Sequence, residues 1–276
     1  MYWLLFALIA GVVLLVAAYA ADDLPEPRRE TFNCSADGSL WPYLVQPTSA
    51  DPRAVLVNLH GHYSDHHQGM TVGTYNDHYG KLRRACLARN WAYVCPWYGG
   101  NSWMGPLAES GLCDLLSVLQ ARWPERPVYL SGGSMGGSST LVFAVRRPDL
   151  LDGIVARCPA ADIESYYAFA AASDNPTLQN IASAIRIHYT ADGRDLSSEL
   201  RARSALYHAE RLEMPVYLCH GAKDELIPVG PTRALVARLT ELGRRVRYLE
   251  LPEGNHDAPA TQVDNWRETM DFLEGA

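Results

Sequence analysis

The chain contains 276 residues, of which 48% are hydrophobic and 20% are charged. This length and composition are typical of a globular protein with one large buried core, and they exclude a low-complexity or repeat architecture. The formal net charge of −7 provides no basic field that would attract phosphate groups, so a nucleic-acid partner is excluded as well.

Residues 1–21 carry no charged side chain and are rich in Leu, Ile, Val and Ala. Such a segment predicts either a signal peptide, with a small-x-small cleavage site at 18–20, or a retained membrane anchor; a buried core helix is the third alternative. Residues 22–30 contain two prolines and several charges and are interpreted as a linker. We therefore expect either an exported protein, periplasmic or extracellular, or one that is associated with a membrane through residues 1–21, with its folded domain outside the cytoplasm.

The first strand candidates after the linker are 31–34 and 40–46, which flank an Asp-Gly turn and predict a hairpin. Beyond them, apolar runs that do not alternate with polar residues predict strands buried on both faces. These runs are 54–59, 92–96, 128–130, 153–158, 216–219 and 246–251. Helical segments are predicted at 76–89, 109–122, 135–146, 231–242 and 264–273.

This alternation of strands and helices predicts an α/β fold in which residues 31–276 form a mostly parallel central sheet flanked by helices. The segment 162–211 is too long for a simple crossover between two strands. We interpret it as a helical cap or lid over the carboxyl edge of the sheet.

The strongest motif is Gly132-Gly133-Ser134-Met135-Gly136, a G-x-S-x-G pentapeptide. An apolar strand precedes it and a helix-forming segment follows it, a context that is typical of a nucleophile elbow. Such a turn exposes the Ser134 hydroxyl above the sheet, and the N–H of Met135 points to where negative charge develops. A phosphate-binding glycine loop is the alternative, but the lysine of a P-loop is absent. We therefore predict that Ser134 is a nucleophile.

A serine hydroxyl needs a base to take its proton, and the base needs an acid that fixes its tautomer. His256 follows the last predicted strand, in a loop that can carry its ring over Ser134. Asp224 follows the fifth apolar run, which gives the chain order Ser, Asp, His. Asp162, after the fourth run, is the alternative acid.

The oxyanion formed during attack needs two hydrogen-bond donors. The N–H of Met135 is one, and the loop after the first apolar run supplies the other, with His62 as our choice and Tyr63 as the alternative. The same loop carries histidines at 60, 62, 66 and 67, but no closed ligand geometry is evident among them. The six cysteines contain no Cys-x-x-Cys pair, so neither a metal nor a cofactor is expected, and their pairing stays open.

Aromatic and charged side chains near the predicted sheet edge are candidates for substrate contact. They are Tyr63, Trp97, Tyr98, Trp103, Arg157 and Tyr166. For the aromatic residues, packing under the cap is the alternative. Arg157 either binds a substrate carboxylate or forms a salt bridge with Asp162.

The segment 204–229 resembles the prolyl-oligopeptidase and dienelactone-hydrolase-like branch of the α/β-hydrolase superfamily. It predicts a helix, a proline-led strand and then His-Gly-Ala-Lys-Asp at 220–224, and members of this branch carry His-Gly-x-x-Asp with the catalytic acid last. Glu-Gly-Asn-His at 253–256 likewise resembles their catalytic histidine turn. The resemblance covers roughly residue 54 to the C-terminus and implies the roles of nucleophile, acid and base for Ser134, Asp224 and His256.

Some features depart from that branch. Gly61 is followed by His62 where the family often has a second glycine, and Ser134 stands where dienelactone hydrolases use cysteine. Peptidases of the branch usually carry an N-terminal propeller, for which we expect no room in this chain. We therefore expect a serine hydrolase that cleaves carboxylic esters through an acyl-enzyme on Ser134, with a small-molecule ester or short peptide as substrate. A small serine peptidase of the prolyl-oligopeptidase type and a non-catalytic hydrolase-fold binding protein are the alternatives.

Overall fold

The computed structural model of the chain describes residues 24–70 and 75–275. The segment 1–21 lies outside the described residues, so the signal peptide or anchor stays a prediction. Within the described ranges, no helix is both long enough and apolar enough to cross a membrane. The predicted linker 22–30 is wrong at its end, because the first strand already begins at Arg28.

The described residues form eight strands and nine α-helices, numbered here in chain order. The strands are β1 (Arg28–Asn33), β2 (Leu40–Val45), β3 (Ala54–Leu59), β4 (Trp91–Pro96), β5 (Val128–Gly133), β6 (Gly153–Arg157), β7 (Val216–Gly221) and β8 (Val246–Leu251). The helices are α1 (Asn76–Ala88), α2 (Pro106–Arg122), α3 (Met135–Arg146), α4 (Ile163–Ala171), α5 (Pro176–Tyr189), α6 (Leu196–Ala202), α7 (Gly230–Glu241), α8 (Ala258–Thr261) and α9 (Trp266–Glu274). Short 3-10 turns lie at Pro148–Leu150, Ala191–Gly193 and Ala205–Arg211.

All eight strands belong to one sheet in the order β1-β2-β4-β3-β5-β6-β7-β8. The pairs from β4 through β8 are parallel, whereas β1 and β2 are antiparallel to their neighbours. The predicted hairpin is confirmed by the pairing of Asn33 with Leu40 across the turn. The mostly parallel α/β sheet with flanking helices is confirmed as well.

The core lies on both faces of the sheet. Strands β3, β4, β6 and β7 are buried at every residue, and alternate residues of β3 point into two separate hydrophobic clusters, as the two-residue period of a strand requires. Strand β8 is only partly buried, so the prediction that this strand is buried on both faces was wrong. It is an edge strand, and β7 is its single neighbour among the described strands.

The carboxyl ends of the parallel strands bring the predicted site segments to one edge of the sheet. Ser134 follows β5, Asp224 lies three residues after β7, and His256 lies in the loop after β8. The loop with His62 follows β3 at the same edge, between β4 and β5 in the strand order. Ligand sites in open parallel sheets form at this edge.

Candidate active site

Ser134 occupies a sharp turn between strand β5 and helix α3. Its backbone has φ 57° and ψ −122°, a conformation that is strained for a residue with a Cβ and costs about 1 to 3 kcal/mol. The turn is tight because Gly136 lies against strand β3, where an added Cβ would come within 2.2 Å of the carbonyl oxygen of Leu59. The glycine of the G-x-S-x-G motif therefore allows the two backbones to approach closely, and the resulting turn points the Ser134 side chain away from the sheet.

Three side chains that are distant along the chain meet at this turn. The Nε2 atom of His256 lies 2.8 Å from Oγ of Ser134, and its Nδ1 atom lies 2.7 Å from Oδ2 of Asp224. Because the carboxylate can only accept, the proton of a neutral His256 ring is on Nδ1. The Nε2 lone pair then faces the Ser134 hydroxyl, which is the arrangement that proton abstraction requires.

Asp224 is held in place by hydrogen bonds to both carboxylate oxygens. Oδ1 accepts from the backbone N–H groups of Leu226 and Ile227 at 2.9 and 2.8 Å. Oδ2 faces His256 and also His220, whose Nε2 atom is 3.2 Å away. Burial alone would raise the pKa of Asp224, but the hydrogen bonds from His220 and His256 hold that pKa well below its ordinary value. The carboxylate is therefore ionised at neutral pH.

The alternative acid, Asp162, serves another purpose. Its Oδ1 atom accepts from the backbone N–H groups of Glu164 and Ser165, which caps helix α4, and from the hydroxyl of Ser204. Its Oδ2 atom accepts from the Tyr207 hydroxyl at 3.3 Å. These bonds identify Asp162 as a helix cap.

The backbone N–H groups predicted as oxyanion donors differ in whether they already have an acceptor. In the loop after β3, the N–H of Gly61 donates to Gln68 Oε1 at 2.6 Å and that of Tyr63 donates to Asn101 Oδ1 at 2.8 Å. The N–H groups of His62 and Met135, by contrast, have no acceptor among the residues that the structure describes. Of the two candidates in this loop, His62 is thus favoured over Tyr63 as the second donor.

The ring of His62 fixes its own loop. Its Nδ1 atom accepts from the indole N–H of Trp103 at 3.2 Å, and its Nε2 atom lies 2.9 Å from Oδ1 of Asn180 on helix α5. Acceptance at Nδ1 requires the neutral ring, and its proton is then on Nε2, from which it donates to Asn180. Burial lowers the pKa of His62, which favours this neutral form.

Ser134 and His256 line a cleft with a volume of about 240 Å³. Its other walls come from the loops after β3, β6, β7 and β8 and from helices α1, α4, α5 and α8. The remaining lining residues are Gly61, His62, Tyr63, Gln68, Tyr75, Tyr79, Gly133, Cys158, Tyr166, Thr177, Ile181, Leu226, Ile227, Asp257 and Ala260. The predicted cap segment 162–211 thus contributes Tyr166, Thr177 and Ile181 to the walls.

Only two of the five predicted aromatic contacts, Tyr63 and Tyr166, line the cleft. Trp97 packs on Trp41 with ring centroids 4.8 Å apart, and the Tyr98 hydroxyl donates to the backbone oxygen of His60 at 2.7 Å. Trp103 is fully buried, and its indole supports His62 from behind. The prediction of direct substrate contact was wrong for these three residues because their loop turns its rings into the core.

Arg157 also lies outside the cleft. Its side chain is 3% exposed, its guanidinium donates to the Pro259 backbone oxygen and to Asn265 Oδ1, and its Cζ atom stands 4.2 Å from the ring centroid of Trp266. Neither the substrate contact nor the salt bridge with Asp162 was correct. The guanidinium instead fastens the C-terminal segment to the sheet.

Several lining residues were missed by sequence reasoning. Tyr75 donates a 2.6 Å hydrogen bond to Asp257, which adjoins His256. Tyr75 and Ile181 lie on segments whose sequence carries no motif. Cys158 does carry a signal, because it ends the predicted strand next to the nucleophile strand, and its φ of 42° turns it toward the site.

Two groups of side chains place candidate metal-binding atoms within 4.8 Å of one another. One is Asp65, His66 and His67 in the loop after β3, and the other is Cys158 with Asp224 and His256. In the second group, the atoms of Asp224 and His256 bond to each other. The four histidines of the β3 loop do not form a common group, since the His60 ring contacts Gly61 and the His62 ring contacts Trp103.

Comparisons with known proteins identify the family and the fold. Residues 120–276 match the family model described as the prolyl oligopeptidase family, and this range contains Ser134, Asp224 and His256. The acylamino-acid-releasing enzyme of Arabidopsis thaliana is 28% identical over 142 residues, which are 51% of this chain and 18% of that protein.

Solved structures show the same fold. An acylaminoacyl peptidase of Pyrococcus horikoshii superposes with a TM-score of 0.70 at 16% identity over 94% of this chain and 42% of its own. An esterase of Pyrococcus furiosus superposes with a TM-score of 0.63 at 14% identity over 91% of both chains. The present chain thus spans less than half of the two peptidase-type relatives and most of the esterase.

Proposed function

The chain belongs to the prolyl oligopeptidase family of serine hydrolases, and we propose that it cleaves carboxylic esters through an acyl-enzyme on Ser134. The observation that carries the proposal is the chain of short contacts from Ser134 Oγ to His256 and from His256 to Asp224, at 2.8 and 2.7 Å. Ser134 and His256 line the cleft, and the backbone N–H groups of His62 and Met135 have no acceptor among the described residues.

In the proposed acylation, Ser134 Oγ attacks the ester carbonyl carbon while His256 Nε2 takes the hydroxyl proton. The carbonyl oxygen becomes an oxyanion, which accepts hydrogen bonds from the N–H groups of Met135 and His62. The ionised Asp224 stabilises the imidazolium that forms. Collapse of the intermediate breaks the bond to the leaving alkoxy oxygen, which receives the proton from His256 Nε2 and departs as the alcohol.

Deacylation repeats these steps with water. His256 Nε2 takes a proton from the water as its oxygen attacks the acyl carbon, and the same two N–H groups stabilise the second oxyanion. Collapse then breaks the bond to Ser134 Oγ, which recovers its proton from His256. The products are the carboxylic acid and the free enzyme.

The cleft supports a small acyl group. Its volume of about 240 Å³ lies below the range of about 300 to 1,000 Å³ that is usual for drug-sized ligands. Ile181, Leu226 and Ile227 supply an apolar wall. The Tyr166 hydroxyl is buried and has no hydrogen-bond partner among the described residues, so a substrate oxygen that bonded it would satisfy a polar group that is otherwise unpaired.

A small serine peptidase is the second candidate. It is favoured by the family match and by the likeness to the Pyrococcus horikoshii acylaminoacyl peptidase. The same Ser134 chemistry applies to an amide, with His256 delivering its proton to the leaving nitrogen. The likeness to the Pyrococcus furiosus esterase, which extends over nearly all of both chains, supports the ester reaction.

Two measurements test the proposal. A fluorescent fluorophosphonate is expected to label the native chain and not Ser134→Ala, because the label needs the activated hydroxyl. Rates on aryl acetates and on matched aminoacyl arylamides then separate the candidates, and preference for the arylamides in kcat/KM would replace the esterase by the peptidase. A native chain that neither labels nor turns over any of these substrates would favour the non-catalytic binding protein.

A further inference from the structure

His220 is a second histidine on the carboxylate of Asp224. It lies in strand β7, and its side chain is fully buried. Its Nε2 atom is 3.2 Å from Asp224 Oδ2 and 3.0 Å from the backbone oxygen of Ile227. Its Nδ1 atom is 3.0 Å from the hydroxyl oxygen of Thr232. The proposed mechanism assigns this ring no role.

The contacts of the His220 ring decide where its proton is. Nε2 faces only acceptors, a carboxylate oxygen and a carbonyl oxygen, so it must carry a hydrogen. Nδ1 faces the Thr232 hydroxyl, which also lies 3.2 Å from the backbone oxygen of Pro159. A neutral ring accepts from Thr232, whereas a charged ring donates to Thr232 while that hydroxyl turns to Pro159. In both states His220 donates from Nε2 toward Asp224.

Oδ2 of Asp224 is therefore shared between two histidines. His256 lies at 2.7 Å and His220 at 3.2 Å, while the two backbone N–H groups of Leu226 and Ile227 occupy Oδ1. A carboxylate has about four acceptor sites, and these four donors fill them. The donor from His220 prevents rotation of the carboxylate, and it also withdraws part of the negative charge that His256 would otherwise receive.

We propose that His220 is a positioning residue, which acts through Asp224 to aim and moderate the base His256. This inference rests on the proposed function, because it assigns His256 as the base. His220 does not line the cleft, so it acts without touching the substrate. Its Nε2 atom also bonds the backbone oxygen of Ile227, a residue that lines the cleft. His220 therefore connects the carboxylate of Asp224 to the wall of the cleft.

Removal of His220 has a defined effect on the pH profile. Without the N–H of His220, the Asp224 anion is less stabilised and interacts more strongly with a protonated His256. This interaction favours the imidazolium, so the acid limb of kcat/KM moves to higher pH.

Within the described residues, the titratable groups that border this cluster include Cys158, Tyr166, Glu250 and Asp257, and all stay unchanged in the variants. Burial raises the pKa of the Cys158 thiol and of the Tyr166 hydroxyl, so both are neutral. The carboxylate of Glu250 is paired with Arg233 at 2.7 Å. A displaced acid limb therefore reports the loss of the His220 donor.

The test compares His220→Gln, whose amide keeps an N–H donor at the reach of Nε2, with His220→Met, an apolar side chain of similar length. For His220→Met we expect kcat on an aryl acetate to fall about 10- to 100-fold with KM nearly unchanged. Its acid limb should move up by about half a pH unit or more. His220→Gln should recover most of kcat. His78→Leu, which removes another buried imidazole that does not line the cleft, is the matched control and should keep the native kcat, KM and acid limb.

Two results would overturn the inference. One is native kcat and an unmoved acid limb in His220→Met. The other is an equal loss in the Gln and Met variants with no displacement of the limb, which would identify a packing role only. If His220→Met does not fold, His220→Asn is compared with His220→Gln instead, because the shorter amide of asparagine does not reach Asp224. If the native chain labels at Ser134, either of these results leaves the esterase proposal intact. A native chain that neither labels nor turns over substrate contradicts the esterase proposal and this inference together.

Discussion

Asp224→Asn tests the proposed triad most directly, because the structure fixes how the new amide must lie. The backbone N–H groups of Leu226 and Ile227 both donate to Oδ1 and have no other tautomer, whereas His256 can change its tautomer and His220 keeps the backbone oxygen of Ile227 as an acceptor. The amide oxygen therefore takes the Oδ1 position and the amide NH₂ replaces Oδ2. This NH₂ then faces Nδ1 of His256, which must give up its proton and accept. The proton of His256 moves to Nε2 and points at the Ser134 hydroxyl. Nε2 can then no longer take the proton of that hydroxyl.

The wrong tautomer should lower kcat by about 10⁴-fold, which corresponds to roughly 5 kcal/mol of lost transition-state stabilisation. The assay is turnover of an aryl acetate at neutral pH, normalised to folded protein by urea unfolding. Asp162→Asn is the matched control, since asparagine caps a helix as well as aspartate does, and it should retain native turnover. A loss of less than tenfold in Asp224→Asn, or an equal loss in both variants, would refute the assignment of Asp224 as the orienting acid.

Three further predictions concern the cleft and its surroundings. Tyr166→Phe should raise KM for esters several-fold, by about 1 kcal/mol, without loss of stability, because the hydroxyl has no hydrogen-bond partner within residues 24–70 and 75–275; an unchanged KM would show that this hydroxyl does not contact the substrate. Arg157→Met should leave KM unchanged but lower the free energy of unfolding in urea, and a raised KM would indicate that Arg157 contacts the substrate after all. Burial lowers the pKa of His60 to about 4 and that of His78 to about 3, so the unfolded chain binds more protons below about pH 6.5. Stability should therefore fall between pH 7 and about pH 4.5 by about 2 kcal/mol for each ring, and His78→Leu should lose about that much less over the same range; an equal loss would contradict the shift for His78.

The parts of the fold that were predictable are those encoded by neighbouring residues. The continuous apolar runs located all six strands after the hairpin, because strands buried on both faces need apolar side chains at every position. The turn at Ser134 was predictable for the same reason, since its strand, glycines and helix follow one another in the chain. Val246–Leu251 was correctly placed as a strand but not as an edge, because the edge position depends on which strands pair.

Side-chain direction in loops was not predictable from position along the chain. Trp103 was correctly placed near the carboxyl edge of the sheet, but both it and Met104 have positive φ, 49° and 57°. This backbone turns the indole inward, where Tyr189 donates to the Trp103 backbone oxygen at 2.8 Å. The sequence contains no glycine at either position that would mark such a turn. The prediction for Arg157 was wrong for a similar reason, because its partners, such as Asn265, come from the last 20 residues of the chain.

The buried Trp103 nevertheless bears on the proposed chemistry through His62. The indole N–H holds one nitrogen of the His62 ring and Asn180 of helix α5 holds the other, so the backbone N–H proposed for the oxyanion is positioned from two sides. One of those sides is the segment predicted as a cap. Since the bond from Trp103 needs an unprotonated Nδ1, protonation of His62 would break that bond and loosen the loop on this side. The second oxyanion donor therefore depends on the contact between the β3 loop and helix α5, whereas the Met135 donor depends only on the local turn at Ser134.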